Sequence, residues 1–258
     1  MSDQPNGRPR SASITFDLGG RSVSLQIQVP AGDVPPSRLL PLVHSLTDLA
    51  VDASVQDLAE PVSCTAGCGA CCRQLAPLSE TEARAIHALV DAMPAERRDA
   101  VKARFAAALE GLEKAGLLEP LRGFSRLPGP ERSALGLAYF RQGLPCPFLE
   151  DESCSIHAER PVICREFLVT SDARHCAEPS PQTVRRVTLD ARISRGLAAL
   201  DAPPAEKRPP NWIPLTLALA WTEAQPPEPV RGGEQLLQDF FSRLSARDLS
   251  GHPGADEA

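Results

Sequence analysis

Eight cysteines carry most of the chemistry this chain offers, and seven of them fall in two short stretches. The first reads Cys64-Thr-Ala-Gly-Cys68-Gly-Ala-Cys71-Cys72-Arg73. Two residues between Cys68 and Cys71 let both thiolates converge on one metal ion or one cluster edge. Gly67 and Gly69 flank Cys68, so the backbone there can curl tightly and turn amide N–H groups toward a sulfur. Adjacent Cys71 and Cys72 do not easily point to the same tetrahedral ion; one is expected to face elsewhere or to serve a second centre. The second stretch reads Cys146-Pro-Phe-Leu-Glu-Asp-Glu-Ser-Cys154-Ser-Ile-His157, followed by Arg160-Pro161-Val-Ile-Cys164-Arg165. Leu149–Ser153 is expected to form an acidic turn that brings Cys146 and Cys154 together, with Pro147 and Pro161 stiffening it. Arg73 and Arg165, each beside a cysteine, are expected to offset thiolate charge. Cys176 stands apart.

An isolated free cysteine usually behaves as a small buried hydrophobe. Eight of them grouped around glycines, prolines and arginines do not fit that description. Disulfides are the other outlet for eight thiols. The opening MSDQPNGRPRSAS has positive charges but no apolar segment behind them, and no run approaches the ~18 apolar residues of a membrane helix. The expected location is therefore cytoplasmic, where thiols stay reduced, and metal binding is the expected use of the cysteines.

The segments CTAGCGACCRQL at Cys64–Leu75 and CPFLEDESCSIHAERPVICREF at Cys146–Phe167 resemble the YkgJ-like family of cysteine-cluster proteins. The likeness covers Pro61–Cys176 and is carried by Cys-Cys-Arg together with Arg-Pro-x-x-Cys-Arg. Family members are described as zinc- or iron-chelating, so the resemblance implies a binding site and names no reaction. It implies Cys64, Cys68, Cys71, Cys72, Cys146, Cys154 and Cys164 as metal ligands, with Cys176 as the eighth. Zinc favours compact paired units, whereas the second half has gaps of seven, nine and eleven residues. Iron–sulfur clusters accept wider spacing from separate loops. The expected cofactor is therefore an iron–sulfur cluster with a redox or sensing role. The alternative is a structural zinc-chelating module serving a protein partner.

Cys64-x3-Cys68-x2-Cys71 also has the spacing of the radical-SAM motif, and Gly232-Gly233-Glu234 looks like its SAM-binding triplet. Against this, the intervening chain reads as helices and loops, the triplet lies far downstream, and Ala70 replaces the usual aromatic. His157 and His175 lie close to cysteines but are expected to pack or hydrogen-bond beside the site. No Walker loop, G-x-S-x-G or H-E-x-x-H occurs. The sequence names no catalytic base, so whether the chain is an enzyme stays open.

These loops need elements to position them. A 42% hydrophobic share with 23% charged residues is ordinary for a globular chain of 258 residues. A net charge of −6 argues against a nucleic-acid surface. Period-two runs around Gly19-Gly20 predict a β-hairpin. Helical spacing predicts helices from Leu39 to Leu49, after Ser79-x-x-Glu82 as a capping box, after Pro94, over Glu131–Gln142, from Pro181 through Leu200, over Leu215–Ala224, and over Glu234–Leu244. The expected class is mainly α with a small N-terminal β-hairpin and irregular cysteine-rich loops among the helices. The expected organisation is a disordered lead (1–12), hairpin and helix (13–60), metal-binding domain (61–180), C-terminal helices (181–249) and a loose tail (250–258).

Overall fold

The computed structural model describes residues 10–18, 21–180, 182–202 and 209–245. Among them the chain is mainly helical, behind one long hairpin. The hairpin pairs β1 (Arg10–Leu18) with β2 (Arg21–Val29), setting Ile14 opposite Leu25 and Ala12 opposite Ile27. Alternation turns Ala12, Ile14, Val23, Leu25 and Ile27 inward while Ser13, Thr15, Ser24 and Gln26 face solvent. Residues 10–12 of the expected lead are therefore strand. The remainder of the lead, the Gly19-Gly20 turn and the expected tail lie outside the described residues.

Nine α-helices follow among the described residues: α1 (Leu40–Val55), α2 (Glu80–Asp91), α3 (Ala95–Lys114), α4 (Leu118–Arg122), α5 (Gly129–Phe140), α6 (Val162–Glu166), α7 (Ile193–Leu200), α8 (Ala218–Glu223) and α9 (Gly233–Ser245). Short antiparallel pairs tie distant loops together. β3 (Asp33–Val34) meets β8 (Arg231–Gly232), β4 (Pro77–Leu78) meets β7 (Ile213–Pro214), and β5 (Leu149–Glu150) meets β6 (Ser153–Cys154).

The apolar stripes of the helices fill two cores. Ile86, Val101, Phe105, Leu112, Phe148 and Leu217 belong to the first, formed by α2, α3, α5 and the 213–219 segment. Val43, Leu46, Leu197, Leu236 and Phe240 belong to the second, under the hairpin with α1, α7 and α9. The five-residue α6 joins them: Val162 is buried in the second core, and Ile163 packs on the first.

One predicted helix is shorter than expected. Periodicity predicts a helix from Pro181 through Leu200, yet α7 begins only at Ile193. Val187 and Leu189 are buried around an exposed Thr188, a period-two pattern. That segment runs extended beside 168–170, with Thr170 N–H donating to the Arg185 carbonyl (2.9 Å) and Val187 N–H to that of Leu168 (2.9 Å). Leu189 is buried just beyond this pairing and outside any helix.

Candidate metal centre

The first cysteine stretch is a run of turns whose two glycines do different work. Gly67 sits at φ +83°, in the left-handed region that favours glycine. At Gly69, a Cβ would stand 2.6 Å from the Glu152 carbonyl oxygen and 2.6 Å from Leu149 Cδ1. Its missing side chain lets the second stretch lie directly on the first. Cys146 N–H donates to the Cys72 carbonyl at 2.7 Å, and Arg73 grips Glu152 through both guanidinium nitrogens at 3.0 and 2.7 Å.

The acidic turn forms as expected. Glu150 pairs with Ser153 and Leu149 with Cys154, while Asp151 and Glu152 take φ of 48° and 55°. Two consecutive positive φ values are the signature of a tight two-residue hairpin. Helix α3 braces this hairpin: Phe105 meets Phe148 edge-on at 5.5 Å, and Arg104 pairs with Glu150 at 2.5 Å. Arg97 donates to the Ser155 carbonyl at 2.8 Å.

Cys164 rides on α6, whose N-terminus is held from across the fold. Ser79 and Glu82 form a reciprocal capping box at α2. The second oxygen of Glu82 accepts from Val162 N–H at 2.7 Å, capping α6 as well. Cys176 arrives through another clamp. Ser63 N–H donates to the Val169 carbonyl at 2.9 Å, and its hydroxyl donates to the Val169 and Ser171 carbonyls. The start of the first stretch is thus tied to the chain leading into the 3-10 turn Ala173–Ala177, which carries Cys176.

The result is a single chamber lined by all eight cysteines, with a volume of about 120 Å³. All eight are free thiols; Cys176 is buried and the others half-buried. They ring a void and do not converge on a point. Among the described residues, no three His, Cys, Asp or Glu side chains are grouped tightly enough to hold one ion. Phe148, Ile156, Phe167, Leu168 and Leu215 supply apolar wall.

Cys71 and Cys72 do not face apart. Both line the chamber, and the Cys72 thiol donates to the Cys71 sulfur, which lowers the Cys71 pKa and raises that of Cys72. Burial pushes Cys146 up to about 12 and Cys176 up to about 11, and raises Cys64, Cys154 and Cys164. Backbone amides oppose this in part: Val169 N–H reaches Cys64, Phe148 N–H reaches Cys146, and Ile156 N–H reaches Cys154. N–H donors of this kind favour thiolate over thiol. So many apolar-walled thiols hold their protons until a cation compensates them, and metal binding releases those protons.

The arginines divide their tasks differently from the sequence expectation. Arg165 is buried and spends its donors on structure, with Nη1 on Asp48 (3.0 Å to each oxygen), Nε on the Arg160 carbonyl (3.0 Å) and Nη2 on the Ala158 carbonyl. Arg73 acts on Cys72 from outside the chamber wall. The guanidinium that does line the chamber is Arg160, and its charge favours thiolate at Cys64, Cys71 and Cys154. The only signal for it in the sequence is its place before Pro161 between two cysteines. His157 also lines the chamber, whereas His175 turns its Nδ1 to the Thr183 carbonyl at 3.0 Å.

Residues 63–180 match a family model described as "Putative zinc- or iron-chelating domain". Over this segment the chain is similar to that cysteine-cluster family. The matched residues include all eight cysteines and leave out the hairpin, α1 and the helices from α7 onward. No curated protein and no solved structure matches the chain. The chelating domain is a metal-binding cysteine cluster, and its thiol-rich donor set suits soft or borderline ions such as iron and zinc. Radical-SAM chemistry finds no support here. The Gly232-Gly233-Glu234 triplet lies outside the chamber wall, with Gly233 N–H donating to the Gly32 carbonyl at 2.9 Å. All strand pairs among the described residues are two-stranded and antiparallel.

Proposed function

We propose that the chelating domain holds an iron–sulfur cluster in the eight-thiol chamber, and that the chain acts in redox sensing or electron transfer in the cytoplasm. The chamber itself supports this reading. Eight thiols surround about 120 Å³ of space, where ~10–15 Å³ is enough for one water. A lone ion gripped by four sulfurs needs no such void, whereas a cluster of several atoms does. Cys64, Cys68, Cys71, Cys72, Cys146, Cys154, Cys164 and Cys176 are the candidate ligands. When bound, a cluster supplies one-electron chemistry whose potential depends on hydrogen bonds and burial. The chain's part is to place thiolates around it, donate amides to sulfur, and exclude water with Phe148, Ile156 and Leu215.

Anaerobic purification followed by iron, zinc and acid-labile sulfide analysis tests the reading. The expected result is brown protein with iron and sulfide in comparable amounts. Colourless protein with stoichiometric zinc and no sulfide overturns it in favour of a structural zinc module with a protein partner.

A further inference from the structure

Two buried donor atoms in the residues lining the chamber have no hydrogen-bond partner, Gln74 Nε2 and Arg160 Nε, and a third buried donor there, the Thr216 hydroxyl, reaches the hydroxyl of Tyr139 on the same wall. The Thr216 residue is only 3% exposed. An unmet buried donor costs about 1–3 kcal/mol, so native folds rarely keep one without an acceptor to meet it. Two unmet donors and a buried hydroxyl around one void make a pattern, because they arrive from separate elements.

Gln74 follows the first cysteine stretch directly. Arg160 comes from the turn between Cys154 and Cys164, whose carbonyls Arg165 braces against α1 through Asp48. Thr216 lies in the 3-10 turn Leu215–Leu217, brought in by the β4–β7 pairing and by Leu215 N–H donating to the Ala76 carbonyl at 2.9 Å. The fold thus anchors Arg160 and Thr216 independently at a wall whose other side-chain heteroatoms are mostly sulfur.

We propose that Gln74, Arg160 and Thr216 form a donor collar that hydrogen-bonds the sulfur atoms of the bound metal centre, with Arg160 adding the positive charge that stabilises it. The acceptors are thiolate sulfur and, on the iron–sulfur reading, cluster sulfide. A small oxyanion is the competing acceptor, and the sulfur-rich wall favours a metal centre as the occupant. Arg160 is well placed for the larger share, since it brings a guanidinium to the chamber wall from the turn between Cys154 and Cys164.

The collar rests on the reading of the chamber as a metal centre, but its test does not depend on which metal is found. Metal release from the full-length protein to an excess of chromophoric chelator is followed for wild type, Arg160→Gln, Arg160→Lys and Thr216→Val. Outer donors of this kind are worth roughly 10–100-fold in metal affinity. Arg160→Gln is expected to release metal about tenfold faster, Thr216→Val to a smaller extent, and Arg160→Lys to recover most of the loss. If the centre is iron–sulfur, Arg160→Gln also lowers its midpoint potential and Arg160→Lys restores it, a pattern that loosened packing does not produce. If wild type carries zinc, the iron–sulfur reading fails, and the order of zinc-release rates still decides the collar. Equal rates in all four proteins overturn it. So does protection of wild type, but not Arg160→Gln, by added phosphate or formate with unchanged release in its absence, which assigns the donors to an oxyanion.

Discussion

Cys176 is the residue whose role the fold changes most. It lies twelve residues beyond Cys164, with no motif around it, yet it is 3% exposed and lines the same chamber as the other seven. The cysteines that act on it electrostatically, Cys71, Cys64 and Cys68, all belong to the first stretch, which the Ser63 clamp on Val169 and Ser171 ties to the chain leading to it. Cys176→Ala is therefore expected to lose metal alongside Cys71→Ala. Metal per chain, measured on both purified variants, checks this; wild-type content in Cys176→Ala would place it outside the ligand set. The seven clustered cysteines are legible from spacing. Cys176 and Arg160 are not, because both reach the chamber through contacts made by other residues.

At the scale of elements, the two cysteine stretches work as one unit because a glycine lets them touch. Gly69→Ala puts a methyl against the Glu152 carbonyl and Leu149. It is expected to destabilise the protein by about 1–3 kcal/mol, as overpacking does, and a urea melt with metal bound measures it. Glu82→Ala removes the acceptor for Ser79 and Val162 at once. The expected cost is about 2 kcal/mol or more, seen as a lower thermal midpoint together with weaker metal retention, since Cys164 loses its anchored helix. Half of this device is legible. Ser79-x-x-Glu82 announces the capping box, and local spacing suffices for it. The bond from Glu82 to Val162 spans eighty residues, and no periodicity encodes it. The segment after Pro181 fails for a related reason: residues 185–187 pair with 168–170, which a window on the sequence cannot include.

At the scale of the molecule, three helices are joined by buried carboxylates. Glu82 of α2 caps α6, and Glu166 of α6 accepts from Ser194 N–H (2.9 Å) and its hydroxyl (2.6 Å) at the start of α7. Asp201, just after α7, accepts from Glu80 N–H (2.6 Å), Thr81 N–H (3.2 Å) and the Thr81 hydroxyl (2.7 Å) at the start of α2. Burial raises Asp201 from the usual 3.8 to about 7. Folding therefore favours its protonated form. That contribution is complete below the unfolded value near 3.8 and is lost as pH rises to about 7. Asp201→Asn keeps a carbonyl oxygen for the same donors and does not titrate. Its stability relative to wild type is expected to improve by roughly 1–3 kcal/mol between about pH 4 and about pH 8. Paired denaturant melts at the two ends of that range check the sign; a gap that does not change with pH would show that Asp201 is ionised throughout.

The ring of caps also means that no one of these helices can fray privately. Each first turn is secured by a side chain from the helix before it, so an opening at any link is shared by all three. Cys164 sits on the shortest of them, and emptying the chamber removes what steadies it. The amides of Ser194, Glu80 and Thr81, none of them at a thiol, should then exchange with deuterium faster in the metal-free protein. Their exchange times become a clock for occupancy, readable without a probe on any cysteine.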